Sequence, residues 1–94
     1  MSQERSSLEY IKKGEKILDI HFMSLDLKVN NAILCKNIDI FAKAEKKLYE
    51  IYPEYKEYNN IYFTVGGRTV LRFKTMDENS IKNGDKILLN FYLI

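Results

Sequence analysis

Strict hydrophobic alternation begins at Ile17. In Ile17-Leu18-Asp19-Ile20-His21-Phe22-Met23, the residues Leu18, Ile20 and Phe22 recur at every second position and so share one face of a predicted strand. Ser24-Leu25-Asp26 reads as a turn or bulge. A second strand follows, roughly Lys28 to Lys36, with Val29, Ile33 and Cys35 on its apolar face and Asn31 breaking the alternation. Together they predict a β-hairpin. Over 38–52 the apolar residues Phe41, Ala44, Leu48 and Tyr52 recur instead at intervals of three and four, the stripe of an amphipathic helix. Asp39 is its predicted N-cap, and Lys43, Lys46 and Lys47 fall largely off the stripe. Pro53 ends the helix, because proline cannot continue the hydrogen-bond ladder and disfavours the helical conformation of Tyr52. Pro53 to Asn60 reads as a polar, tyrosine-bearing loop. Ile61–Val65 is a third strand, Gly66-Gly67 a tight turn, and Thr69-Val70-Leu71 a short fourth strand. Asp77-Glu78-Asn79 interrupts the apolar pattern before Ile81, Asn83-Gly84-Asp85 marks another turn, and Lys86 to Phe91 is the last strand. Ile87 and Leu89 lie on one side of it and Leu88 on the other.

Two strands, a helix and then further strands predict an α+β fold: one mixed sheet with a single helix packed across one face. The connection expected after the second strand is a right-handed crossover to a parallel partner. Residues 1–15 read as an N-terminal extension preceding a domain over 16–94. Its candidate element is a short helix capped by Ser7, with Leu8 and Ile11 on one face and Gly14 as its stop. A frayed tail and a small docking segment are the two readings of that extension.

Composition narrows the functional classes. Ninety-four residues build one core and not two. Fifteen Lys and Arg against thirteen Asp and Glu leave a net charge of +2, too little to make nucleic acid or an acidic membrane the expected partner. One cysteine cannot form an internal disulfide, and one cysteine with one histidine cannot complete a zinc site. The apolar run Ile87–Ile94 has eight residues, well under the roughly 20 of a membrane helix. The N-terminus lacks an apolar signal core. The expectation is an intracellular protein, cytoplasmic by default, with an organellar complex left open and no membrane insertion.

No catalytic, cofactor-binding or metal-binding residue is assigned. His21 is out of phase with the apolar face of its strand and has no recognisable nucleophile or acid beside it in sequence. Cys35 is in phase with Ile33 and reads as a core thiol. Gly66-Gly67-Arg68-Thr69 lacks the glycine spacing and the lysine–hydroxyl pair of a phosphate loop. Asp77-Glu78 reads as a capped turn, not a catalytic carboxylate pair.

Residues 17–94 resemble the ubiquitin-like (β-grasp) family. The helix stripe Phe41, Ala44, Leu48 has the spacing of ubiquitin's buried helix positions. Phe63, Val65, Val70, Met76, Ile81, Ile87 and Leu89 match its later core positions without a gap. Thr75-Met76-Asp77 and the turn Lys82-Asn83-Gly84-Asp85 are similar to the segments preceding the family's last strand. The first hairpin and the loop after the helix are each about two residues longer here. The resemblance implies a non-conjugated member, because the sequence given ends Asn90-Phe91-Tyr92-Leu93-Ile94 and its glycine pair is internal. It also places Thr64 and Asn90 at two positions of ubiquitin's apolar recognition patch, which implies a partner other than the usual ubiquitin readers. Tyr62 and Leu88 lie beside them.

The remaining candidate interface residues are tyrosines and the chain end. Tyr49, Tyr52, Tyr55 and Tyr58 are spaced three apart, and tyrosine combines a large apolar area with a polar tip. Completion of the core by Tyr52 and Tyr55 is the competing account. Phe91, Tyr92, Leu93 and Ile94 cannot all face one core from a strand, so part of that run is expected to meet a partner or to pack on Leu8 and Ile11. The function expected is a non-catalytic protein–protein interaction module, an adaptor or small accessory subunit of a larger assembly. A ubiquitin-like modifier or pathway regulator is the alternative within the fold. A small enzyme and an RNA-binding module are disfavoured, the latter because Glu50, Glu54 and Glu57 interleave with the tyrosines.

Overall fold

In a computed structural model, residues 12–93 are described. The predicted helix at Ser7 and the residues Leu8, Ile11 and Ile94 lie outside them. The elements are β1 (Ile17–Ser24), β2 (Asn30–Lys36), α1 (Phe41–Ile51), a 3-10 turn (Pro53–Glu57), β3 (Ile61–Val65), β4 (Arg68–Thr69) and β5 (Lys86–Phe91). They form one mixed sheet in the order β2-β1-β5-β3-β4. β1 is antiparallel to β2 and parallel to β5, and β3 is antiparallel to both β5 and β4. β3 therefore runs in the same direction as β2, but with β1 and β5 between them. The crossover through α1 joins parallel strands that are not neighbours.

The alternation read from sequence sets the two faces. Leu18, Ile20 and Phe22 of β1 are buried, as are Val29, Ile33 and Cys35 along the second limb of the hairpin, Ile87 and Leu89 of β5, and Ile61, Phe63 and Val65 of β3. Register stacks these positions: Leu18 opposes Cys35, Ile20 opposes Ile33, Phe22 opposes Ile87, and Phe63 opposes Leu89. The helix stripe Phe41, Ala44 and Leu48 closes the core from above. Phe22, Phe41 and Phe63, from β1, α1 and β3, meet in mutual tilted and edge contacts with centroids 5.1–5.8 Å apart. Such pairs contribute on the order of 1 kcal/mol each beyond area burial.

The helix starts differently from its sequence reading. It begins at Phe41, and Asp39 does not cap it. Two of its orphan N–H groups donate to a distant segment instead: Phe41 N to Lys74 O at 2.9 Å and Ala42 N to Arg72 O at 2.8 Å. Asp39 closes the preceding turn, its Oδ2 accepting from Lys36 N at 2.9 Å. An incoming chain can satisfy the same donors that a side-chain cap would. The second strand begins at Asn30 and the fourth is only Arg68–Thr69, since Val70 turns inward to bond Phe63 O.

The stretch 70–85 has almost no regular structure and is ordered by side chains. Thr75 and Glu78 form a reciprocal capping box: Glu78 N donates to Thr75 Oγ1 at 2.9 Å and Thr75 N to Glu78 Oε1 at 2.8 Å. This is the capped turn that the sequence suggested. Buried Asn79 accepts from Leu71 N through Oδ1 at 2.8 Å, and its Nδ2 donates to Leu71 O at 2.9 Å and Thr75 O at 3.1 Å. Buried Asn37 ties Lys16 and Asp77 to the end of β2, bonding Lys16 N and Asp77 Oδ2 at 2.6 Å each. Asn79→Ala would strand the Leu71 amide and carbonyl, and should cost about 1–3 kcal/mol in denaturant unfolding. A change below about 0.5 kcal/mol, the scatter of a surface substitution, would show that the segment is held by other means.

Candidate interaction surface

Part of each sheet edge is covered by bonds from outside the neighbouring strands. Along β2, Asn30 N donates to Tyr52 Oη at 3.1 Å, Lys47 Nζ reaches Leu34 O at 3.1 Å, and Asn31 Nδ2 covers Ala32 O at 2.9 Å. At the other edge, Arg72 Nη2 donates to Ile61 O at 2.6 Å and Val70 N to Phe63 O. Strand addition uses free backbone groups in a row, and these bonds interrupt the row on each side.

The outer sheet face carries Tyr62, Thr64, Leu88 and Asn90, all half-buried. Thr64 opposes Leu88, which also opposes Met23 of β1. Asn90 Nδ2 donates to Thr64 Oγ1 at 3.1 Å and to Leu88 O at 3.1 Å. The two polar positions thus satisfy each other, and the centre of this face is a hydrogen-bonded pair. Tyr62 stacks on Tyr92 with centroids 4.2 Å apart.

The apolar surface gathers at one end of the sheet. β5 is parallel to β1, so Phe91 and the turn after Ser24 share that end, and Ile61 opposes Phe91 there. A groove of about 370 Å³ lies between them, walled by Leu25, Tyr62, Asn90 and Phe91. Phe91 and Tyr58 are both exposed and meet edge-to-face at 5.2 Å. Leu25 is 85% exposed and Leu93 fully so. The turn that presents Leu25 is rigid. Asp26 Oδ1 accepts from Ser24 Oγ at 2.6 Å and Lys28 N at 3.1 Å, and Ser24 Oγ accepts from Val29 N at 3.0 Å. Those bonds, Ser24's first, hold the Asp26 carboxyl below its ordinary pKa. Leu27 closes the turn in the left-handed region at φ 62°, uncommon for a residue of this shape. The sequence places Leu25 in a turn and assigns neither Leu25 nor Leu27 to an interface. Their signal was two leucines inside a polar turn, where glycine, asparagine or aspartate is favoured.

The tyrosine row divides. Tyr55 is buried in the core, so its place at an interface is corrected to the competing account. The 3-10 turn over Pro53–Glu57 redirects the chain, and a spacing of three does not keep the four rings on one face. Tyr52 packs on the core and covers the β2 edge. Tyr49 is half-buried and donates to Glu45 Oε2 at 2.6 Å, burial and this bond pushing its phenol pKa up. Tyr58 alone of the four is exposed. Tyr92 and Leu93 are exposed as well, and Ile94 lies outside the described residues.

The groups with chemical potential are not assembled. His21 sits on the outer face, bonded to Asn30 Oδ1. Cys35 is buried, its Sγ against Leu18 O, and burial raises the thiol pKa to about 11. Among the described residues no group of three or more His, Cys, Asp or Glu is placed to hold a metal ion, and no helix is long and apolar enough to cross a membrane. At pH 8 the Cys35 thiolate fraction should be on the order of one in a thousand, against about one in ten in the unfolded chain. A disulfide reagent should therefore label it roughly a hundred-fold more slowly in native buffer than in denaturant. Equal rates would place the thiol at the surface. The folded pKa lies above the unfolded one, so the contribution of this site to stability is intact below pH 9 and declines as the pH rises toward 11.

No family model and no curated protein sequence matches this chain. Solved structures do. A de novo designed protein based on ubiquitin aligns at TM-score 0.69 with 18% identity, over 83% of this chain and 92% of its own. The ubiquitin-like domain of an Arabidopsis thaliana protein, solved by NMR, aligns at TM-score 0.67 with 8% identity, over 100% of this chain and 95% of its own. Together with the strand order and the single crossing helix, these likenesses show that the chain has the ubiquitin-like β-grasp fold.

Proposed function

We propose that the chain is a non-catalytic protein-interaction module, acting as an adaptor or small accessory subunit of a larger protein assembly. The observation that carries this reading is that exposed Leu25 and Phe91 line one groove at one sheet end, with exposed Tyr58 against Phe91 and exposed Tyr92 stacked on Tyr62 of the groove wall. Contiguous apolar surface on a small domain is unstable in water alone and ordinarily marks a partner site. Aromatic anchors beside a preformed groove are the typical source of binding energy. A non-catalytic role is supported by Cys35, whose buried thiol has a raised pKa, and by His21, whose ring is bonded to an amide and not to a nucleophile. A conjugated tag is the less favoured reading, because Phe91 belongs to β5 and packs against Tyr55 and Tyr58. An intracellular setting accords with a lone, buried, free cysteine.

The test is native size. Full-length chain extracted from its source should elute well above 11.1 kDa with constant companions. Leu25→Ser with Leu93→Ser removes only exposed side chains, so stability should stay within about 0.5 kcal/mol while the companions are lost. Elution as a free monomer, or companions retained by the double variant, would remove the basis for this surface.

A further inference from the structure

The strand β5 outruns one of its two neighbours. β1 pairs with it only as far as Ser24 opposite Leu89, then leaves the sheet through the turn closed by Leu27 N to Ser24 O at 3.0 Å. β3 stays with it to Ile61 opposite Phe91, and Tyr92 N still donates to Asn60 O at 2.8 Å. Over Asn90 and Phe91 the sheet therefore continues on the β3 side and stops on the β1 side. The line that β1 vacates is the groove of about 370 Å³, with Ser24, Leu25 and Asp26 on one side and Leu89, Asn90 and Phe91 on the other.

Register determines which backbone groups face it. In an antiparallel ladder, hydrogen-bonded pairs alternate with non-bonded ones. Asn60 and Tyr92 are a bonded pair, so Ile61 and Phe91 are not, and the N–H and C=O of Phe91 point away from β3. The same parity holds from the other end of the strand: Asp85, an even number of residues earlier, turns its C=O toward β1 and accepts from His21 N at 3.0 Å. Leu25 would meet Phe91 if β1 continued, but it points into solvent. Among the described residues no loop or turn amide bonds Phe91 O, and no loop or turn carbonyl accepts from Phe91 N. A donor and an acceptor thus face a preformed groove, and these are the groups that strand addition uses. The two outer edges carry covering side chains; this internal one carries none among the described residues.

Asp26 is the one charged side chain lining the groove. Its turn bonds, from Ser24 Oγ and Lys28 N, both go to Oδ1 and fix the carboxylate in place. Lys28 on the same turn offsets part of its charge, and Glu54 adds to it near Tyr55.

We infer that the groove takes one extended segment of a partner protein, in line with β1, paired through its backbone to Phe91 and bringing a Lys or Arg to Asp26. This rests on the reading of the groove as a partner site and names how the partner is held there.

The test uses the full chain, isotope-labelled for NMR. Without any partner, the Phe91 amide should exchange with solvent at least ten-fold faster than the Asn90 and Tyr92 amides, after correction for intrinsic rates. Equal protection would show the edge already filled, by the chain itself or otherwise, and would overturn the inference. The probe is a capped peptide, Val-Thr-Val-Arg-Val, which should shift and protect the Phe91 amide saturably. Two versions N-methylated on alternate residues each block one edge of the peptide, and one of them should lose binding at least ten-fold. If both keep it, side chains alone hold the peptide and the inference fails. Asp26→Asn retains the Oδ1 acceptor and should weaken binding about three-fold, as should Glu in place of the peptide's Arg. Unchanged affinity in both would overturn the cation's part. Native companions that coelute with a chain whose Phe91 amide is fully protected when alone would sink strand insertion and leave the interaction module standing. A free monomer that binds the peptide at Phe91 would do the reverse.

Discussion

The structure depends on how the irregular stretch 70–85 satisfies its backbone. A sheet of this order must return the chain from β4 at one edge to β5 near the centre, and little of that path is strand. Buried amides without partners cost on the order of 1–3 kcal/mol each, so an unsupported connection would cancel most of a small domain's stability. The solution is mutual. The segment lends two carbonyls to the start of α1, and the helix returns Glu45 to Arg72, while Asn79 and the Thr75–Glu78 box settle the rest. The helix therefore cannot begin where it does unless 72–74 is docked, and 72–74 cannot dock unless Phe41 is seated against Phe22 and Phe63.

This coupling explains which surfaces are left for recognition. Arg72 stabilises the connection and also caps Ile61 O at the β3 edge, while Tyr52 and Lys47, placed by α1, cap the β2 edge. The residues that hold the fold thereby also occupy part of each edge that strand addition would use. On the outer face, Thr64 and Asn90 spend their hydrogen-bonding capacity on each other. A partner meeting this centre would gain little apolar contact. The exposed apolar side chains stand elsewhere, Leu25 and Phe91 at the rim and Phe73 on its turn.

What the sequence made legible follows from period. Leu18, Ile20 and Phe22 alternate because one side of β1 is buried, and Phe41, Ala44 and Leu48 repeat because one side of α1 is buried, so both were readable from local pattern. Asp39 misled because its local chemistry is that of a cap, whereas the actual partners, Arg72 and Lys74, lie more than thirty residues away. Tyr55 misled because the helical spacing of the tyrosines continues past Pro53 while the chain turns. Tyr58, Phe91 and Tyr92 were identifiable as surplus bulk, too many large residues for one strand face and one helix stripe. Leu25 and Phe73 were not, since periodicity reports which side of an element is buried and says nothing about the direction in which a turn aims its tip.

Those two turns share one construction. Leu25 is held out by Ser24 and Asp26, and Phe73 by Asn79 and Glu45, in each case by polar side chains that immobilise the backbone beneath an apolar tip. If these tips were incidental, the hydrogen bonds would be expected to bury them or to leave the loops loose, because exposing a leucine or phenylalanine on an ordered loop forgoes both hydrophobic gain and loop entropy. Rigidity and exposure together are reconciled when a partner covers the tip, since the ordering cost is then already met in the free domain. The same construction recurs on the rim and beside the helix, so in both places an apolar tip is presented on backbone that is already ordered.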